Sequence, residues 1–287
     1  MAEAGKRTGG RAAAPGTWSG ALVTVGIVIV MMLAVGYLPP DTSLSEVRKA
    51  GVLRICTPDD FPPLVNAGGE KPGIDVEIVS EIARRLDLRT AFNRSSAMGK
   101  DINPRNWRLN RAQCQVIAGG VIASDTTRSY LDTTPAHLEV GWAVVSSKPI
   151  EKLEGATVGF SAGLSGFDRI ALGRFLRSAG AKVAVVPDAR VLARGLSEGT
   201  YDLAVTESMS AREMAEENGW TVQWLSDAFA PSPLALGLWK GDLTLKRAID
   251  EALDAMRRDG TLDAIIESYE LKPIDSTFDH TAPSDPA

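Results

Sequence analysis

Few residues in this chain of 287 can do covalent or metal chemistry. Imidazole comes only from His137 and His280, and thiolate only from Cys56 and Cys114. A four-ligand zinc site of Cys and His would therefore use all of them, and their spacing gives no support for one. No HExxH, GxSxG or Walker A pattern occurs, and neither histidine has an evident Ser or Cys partner, so the expectation is a non-enzyme without metal or cofactor. What remains is the chemistry of charge. The 31 Lys and Arg residues against 36 Asp and Glu give a formal net charge of -5, with no general basic surface, so nucleic acid is not an expected partner. A hydrophobic content of 44% supports a sizeable core, and the length allows one large or two modest domains.

The elements that must position those charges begin with a hydrophobic segment. Lys6, Arg7 and Arg11 precede a run without charge from Ala12 to Pro40, with an apolar centre from Gly20 to Leu38. As a helix that centre would cover about 28 Å, close to the ~30 Å of a bilayer's hydrocarbon. An uncleaved anchor and a cleaved signal peptide both fit, the latter with Ala34 and Gly36 as small residues before a cut at Tyr37. Basic residues before the segment, and Asp41 and Glu46 after it, place everything from about residue 41 outside the cytoplasm.

Past Pro39 and Pro40, strand-like and helix-like patterns alternate. Val52 to Cys56 reads as a strand, and Gly73 to Leu86 carries Val79, Ile82, Ala83 and Leu86 at helical spacing. Val116 to Ala118 follows. Thr157 to Phe160 then precedes a helix carrying Phe167, Ile170, Ala171 and Phe175; Val183 to Val186 precedes Ala189 to Leu196; and Leu203 to Thr206 precedes Ser208 to Glu217. This order predicts α/β architecture with parallel sheets. Two extended apolar stretches, Leu138 to Ser147 and Leu234 to Trp239, break the alternation and read as paired crossings between two lobes. The last helices, with Leu245, Ala248, Ile249, Ala252, Leu253 and Met256 on one face, would return to the first lobe. Both lobes would then present strand carboxyl ends to a shared cleft.

Six segments carry a resemblance. LSEVRKAGVLRICTPDDFPPLVN, GIDVEIVSEIARRLDL, QVIAGG followed by TTRSYLDTTPA, LEGATVGFSAGLSG, YDLAVTES and RRDGTLDAIIESY occur in the order found in extracytoplasmic solute-binding proteins of the polar amino-acid ABC transporter type. Over about residues 44 to 272 the chain resembles that family, bacterial solute-binding family 3. The resemblance implies an α/β, two-lobed type II periplasmic-binding-protein fold with two hinge crossings, preceded by one N-terminal transmembrane helix or signal segment. Residues 1–40 would be the basic segment with its anchor or signal, 41–143 and 236–272 the first lobe, 144–235 the second, and 273–287 a loose tail. It also implies a periplasmic protein, tethered to the inner membrane by the N-terminal helix or released by cleavage. Such a protein captures an amino acid or related small carboxylate and delivers it to an inner-membrane ABC permease.

Site residues follow from the same resemblance. Arg128 stands where the family places its carboxylate-binding arginine, and its planar guanidinium suits that partner; one residue more than usual separates it from Gln115. Gly119 and Gly120 would let a ligand approach backbone amides. Leu164 and Ser165, between a strand and a helix N-terminus, would add donors to the same carboxylate, with Ser165 as an N-cap the alternative. Glu207 takes the place of the aspartate that accepts the ligand's ammonium, with helix capping the alternative. Phe61 would place a ring against the ligand or pack in the core. The cationic stretch Asn93 to Arg111, with Arg94, Lys100, Arg105, Arg108 and Arg111, reads as a solvated face, with a bias of the cleft toward acidic ligands the alternative.

Cys56 and Cys114 fall in an oxidising compartment, yet with their strands side by side in register about four residues at ~3.3 Å would part them by about 13 Å, so no bridge is expected. Two other functions stay open: a cyclohexadienyl or arogenate dehydratase-like enzyme on the same fold, with Glu207 as general acid, and a membrane-tethered sensor or accessory module.

Overall fold

The structure, a computed structural model, describes residues 17–36, 40–98, 103–149, 152–161, 167–225 and 229–271. Helix α1, Thr17–Gly36, belongs to a compact unit separate from the one that starts at Thr42. The side chains described on it from Leu22 to Leu33 are all exposed. Among the described residues no helix is long and apolar enough to cross a membrane. Tyr37, Leu38 and the 273–287 tail lie outside the described residues.

The second unit runs α2 Ser43–Ala50, β1 Val52–Thr57, α3 Ile74–Arg85, β2 Arg89–Arg94, a 3-10 turn at Pro104–Trp107, β3 Val116–Ile122, α4 Asp125–Tyr130, β4 Leu131–Thr133 and β5 Leu138–Val140. It continues with β6 Trp142–Ser146, β7 Thr157–Phe160, α5 Arg169–Ser178, β8 Lys182–Val185, α6 Ala189–Ser197, β9 Leu203–Glu207, α7 Ser208–Asn218 and β10 Thr221–Trp224. The last elements are β11 Ser232–Trp239, α8 Leu243–Arg258 and α9 Thr261–Ser268. One sheet has the order β2-β1-β3-β11-β4, with β5 also on β11; the other has the order β10-β6-β9-β7-β8. Each joins a parallel part, β2-β1-β3 and β9-β7-β8, to antiparallel strands.

Apolar periodicity accounts for the helices that cover the first sheet. Ile74, Ile78, Val79, Ile82 and Ala83 bury one face of α3, and Leu245, Ala248, Ile249, Ala252, Leu253 and Met256 one face of α8. The chain's end returns to the first sheet's helices: Ser43 Oγ accepts from the Leu245 amide at 3.2 Å, and the Tyr269 hydroxyl donates to Glu77 Oε1 at 2.6 Å.

The first crossing lies where expected, between β5 in one sheet and β6 in the other, through Gly141. Leu234 to Trp239 is different. It is not a crossing but the body of β11, flanked by β3 on one side and by β4 and β5 on the other, and the chain returns before it, between Trp224 and Ser232. A strand buried on both faces is continuously apolar whichever sheet holds it.

The two cysteines are joined, against expectation, with Cα atoms 5.6 Å apart. Cys56 pairs with Ile117, so a straight strand would have carried Cys114 well beyond it. Instead the chain turns at Asn110, whose carbonyl accepts from the Gln113 and Cys114 amides, and folds back. The charges of the cationic stretch are solvated as expected, Arg94, Arg105, Arg108 and Arg111 all being exposed and Lys100 lying outside the described residues, while apolar residues within it are buried. Trp107 is buried with Met98, Cys56, Cys114, Ile117 and Trp239 in a small core of its own, and Arg111 pairs with Asp242 at 3.1 Å.

Candidate functional site

Midway along β3 the ladder with β11 is interrupted. Ile117 faces Gly237 and Val121 faces Ala235, so three residues of β3, Ala118 to Gly120, stand against one of β11. This is a bulge with two surplus residues on β3. Gly119 and Gly120 sit at φ 94° and 93°, a region that disfavours any side chain. A Cβ on Gly119 would also come within 2.4 Å of Pro58.

The two glycine amides that the bulge turns out of the ladder are not open to a ligand, which corrects the sequence expectation. Both donate to Asp75 Oδ2, at 2.7 and 3.2 Å. The other oxygen, Oδ1, lies 2.7 Å from His137 Nε2. Asp75 is 0% and His137 6% exposed. Buried polar groups need partners of this kind, yet His137 Nδ1 has none.

Arg128 follows on α4. Ser124 caps that helix through its Oγ, which accepts from Thr127 N at 3.2 Å, and the Arg128 amide donates to Ser124 O at 2.8 Å. The side chain is exposed. Phe61 lies in the loop after β1, half-buried against the core, where its backbone exchanges hydrogen bonds of 2.7 and 2.9 Å with Val65.

On the second sheet, Glu207 ends β9 opposite Trp142, the first residue of β6, which places it at the crossing. It is fully buried and caps α7: Oε2 accepts from Met209 N at 2.7 Å and Oε1 from Ser210 N at 2.6 Å. Burial raises its carboxyl above the ordinary range, against the hydrogen bonds from Ser210 and Met209 and the charge of Arg212. Leu164 and Ser165 lie outside the described residues. The cap of α5 is Asp168, whose Oδ1 accepts from Ala171 N at 2.8 Å, and the helix starts at Arg169, later than expected.

Several polar residues escaped the sequence reading. Arg212 on α7 stacks 5.9 Å over Trp224, and its buried Nε has no partner. Glu213, also on α7, has its carboxyl raised by desolvation first and then by the charges of Glu217, Glu207 and Asp60. Asp60 belongs to the loop after β1, so that loop of the first sheet faces α7 of the second. Among the described residues no group of three His, Cys, Asp or Glu could hold a metal ion.

A family model, bacterial extracellular solute-binding proteins, family 3, matches residues 53–272. The chain belongs to that family. This solute-binding protein is similar to an L-cystine-binding protein of Escherichia coli strain K12, 22% identical over 261 residues that cover 85% of this chain and 92% of the relative. It is also similar to a probable amino-acid ABC transporter-binding protein of Haemophilus influenzae, 24% identical over 233 residues, 77% of this chain and 85% of that one. Among solved structures, an ABC uptake transporter substrate-binding protein from Streptococcus pneumoniae with bound histidine matches with a TM-score of 0.67 and 19% identity, over 82% of this chain and 98% of that one. An ancestral amino acid-binding protein, a precursor of cyclohexadienyl dehydratase, matches with a TM-score of 0.64 and 21% identity, over 79% and 99%. The fold is that of type II periplasmic binding proteins, and the chain is an extracytoplasmic solute-binding protein of the kind that serves ABC transporters.

Proposed function

We propose that this protein captures an amino acid in a cleft between its two sheets, closes on it by a hinge through the crossings, and hands it to an inner-membrane ABC permease. Lobes of 41–141 with 232–272, which keep β11 whole, and of 142–231 would move as the two halves. Arg128 would meet the ligand's carboxylate, Glu207 its ammonium, Phe61 its side chain, and Leu164 and Ser165 would add donors from the second lobe. The single observation that carries this reading is the placement of the two opposite charges. Arg128 follows β3 of one sheet, while Glu207 ends β9 of the other beside the crossing. One ligand touching both favours the closed form by differential affinity.

A tether to the inner membrane rests on the sequence alone, on the uncharged run from Ala12 to Pro40, since among the described residues no helix is long and apolar enough to cross a membrane. Extraction of the expressed protein with detergent, but not with high salt, tests this; recovery in the osmotic-shock fluid would point to cleavage instead.

The raised, buried carboxyl of Glu207 is the one observation in favour of a dehydratase, which needs a general acid. Both of its oxygens are engaged by helix amides, which favours the binding reading. A thermal-shift screen against amino acids, dicarboxylates, prephenate and arogenate, with product analysis of each hit, separates the two: a stabilising compound recovered unchanged means binding, and a converted one means catalysis.

A further inference from the structure

We infer that Asp75 and His137 are positioning residues of the ligand site: they hold the β3 bulge at Gly119–Gly120 and so set where α4 presents Arg128. The inference rests on the amino-acid-binding reading above. A bulge with three residues against one draws the end of its strand back by about two residues, or ~6.6 Å, relative to an unbroken ladder. Everything after Gly120, Arg128 included, is displaced with it. Such a bulge persists only if the amides it frees are satisfied. Asp75, from the first turn of α3, accepts both on one oxygen and has His137 on the other.

His137 ties the arrangement to the crossing. Its amide donates to Leu234 O at 2.9 Å. Leu234 also pairs with Ile122 of β3 and with Leu138, the residue after His137 and the first of β5, the strand that leads through Gly141 into the second sheet. Asp75, the glycine pair, Leu234 and His137 thus close a ring between the Arg128 side of the site and the hinge. With Nδ1 buried and unpartnered, the imidazole is held through its bond to Asp75.

A double-mutant cycle on the full-length chain in detergent tests this. Affinity is measured by calorimetry with L-cystine, L-histidine, L-arginine and L-glutamine, using whichever of the four saturates the wild type. Arg128→Lys keeps the charge and leaves binding measurable. Asp75→Asn and His137→Gln are near-isosteric and disturb the fold less than Asp75→Ala. Each of the two should weaken binding about tenfold or more at a temperature below its unfolding transition. Combined with Arg128→Lys, each should cost much less than the product of the single effects, because both act on the same guanidinium. A purely structural role would lower the melting temperature and leave the effects multiplicative; that result, or unchanged affinity in Asp75→Asn and His137→Gln, overturns the inference alone. Failure of all four amino acids to bind the wild type overturns the amino-acid reading, and this inference with it.

Discussion

Glu207 satisfies the first two free amides past the start of α7 with its own carboxyl while lying fully buried. Capping and ligand binding therefore draw on the same group, and pH separates them. Because burial raises its carboxyl, Glu207 keeps its proton at a higher pH than the ordinary ~4.3 of a glutamate. Its contribution to folding is present below that ordinary value and lost as pH rises through the raised one. An ammonium needs the ionised form, so affinity for an amino acid should fall on acidification with a midpoint above ~4.3. Calorimetry across pH 4 to 8 checks this, and Glu207→Gln should flatten the profile. Asp75 answers to a different rule. Asp75→Ala strands the Gly119 and Gly120 amides, and at roughly 1–3 kcal/mol for each unsatisfied group should destabilise the fold by about 2–6 kcal/mol in urea titration. Glu207 was legible because it follows a strand and opens a helix. The Asp75 to His137 pair was not: 62 residues separate the two, and no local period marks a buried polar contact.

At the level of elements, the amphipathic helices α3 and α8 were readable residue by residue, since a stripe of period 3.6 survives any tertiary arrangement. Strand β11 was not, because an unbroken apolar run does not say which sheet surrounds it. The disulfide was missed for a related reason: strand arithmetic treats the chain as straight, and the turn at Asn110 bends it. Closing a 58-residue separation, Cys56–Cys114 should contribute about 2–4 kcal/mol, seen as a lowered melting temperature in Cys56→Ser/Cys114→Ser or after reduction. A second tie joins α3 to the junction of α8 and α9. Arg85 contacts Glu81 at 2.7 Å and Asp259 at 2.8 Å. The hydrogen bond from Arg84, with Arg85 adding to it, holds the Glu81 carboxyl down at about 2. A lowered carboxyl stabilises above its unfolded value and loses that effect as pH falls toward its folded one. Glu81→Gln should therefore reduce the loss of stability between about pH 4.3 and 2, measured by denaturant titration over that range.

For the molecule as a whole, the α/β architecture follows from alternating patterns that any such chain shows, the first crossing from the stretch that breaks them, and the family from six segments in order. Neither pattern names the ligand. The acidic groups that face each other between the loop after β1 and α7, Asp60 with Glu213, come together only in the folded chain. If the lobes close as proposed, small-angle scattering should record a smaller radius of gyration with a saturating amino acid than without it. The decisive measurement is calorimetric titration of the wild type and of Arg128→Ala with the amino acid that stabilises the wild type most. One site per chain is expected in the wild type, with a loss of about 2–5 kcal/mol of binding in the variant, the range for removing one partner of a buried charge pair, and an unchanged unfolding transition. Equal affinity in both proteins, or no amino acid bound by the wild type, would contradict a zwitterion held between opposite charges from the two sheets.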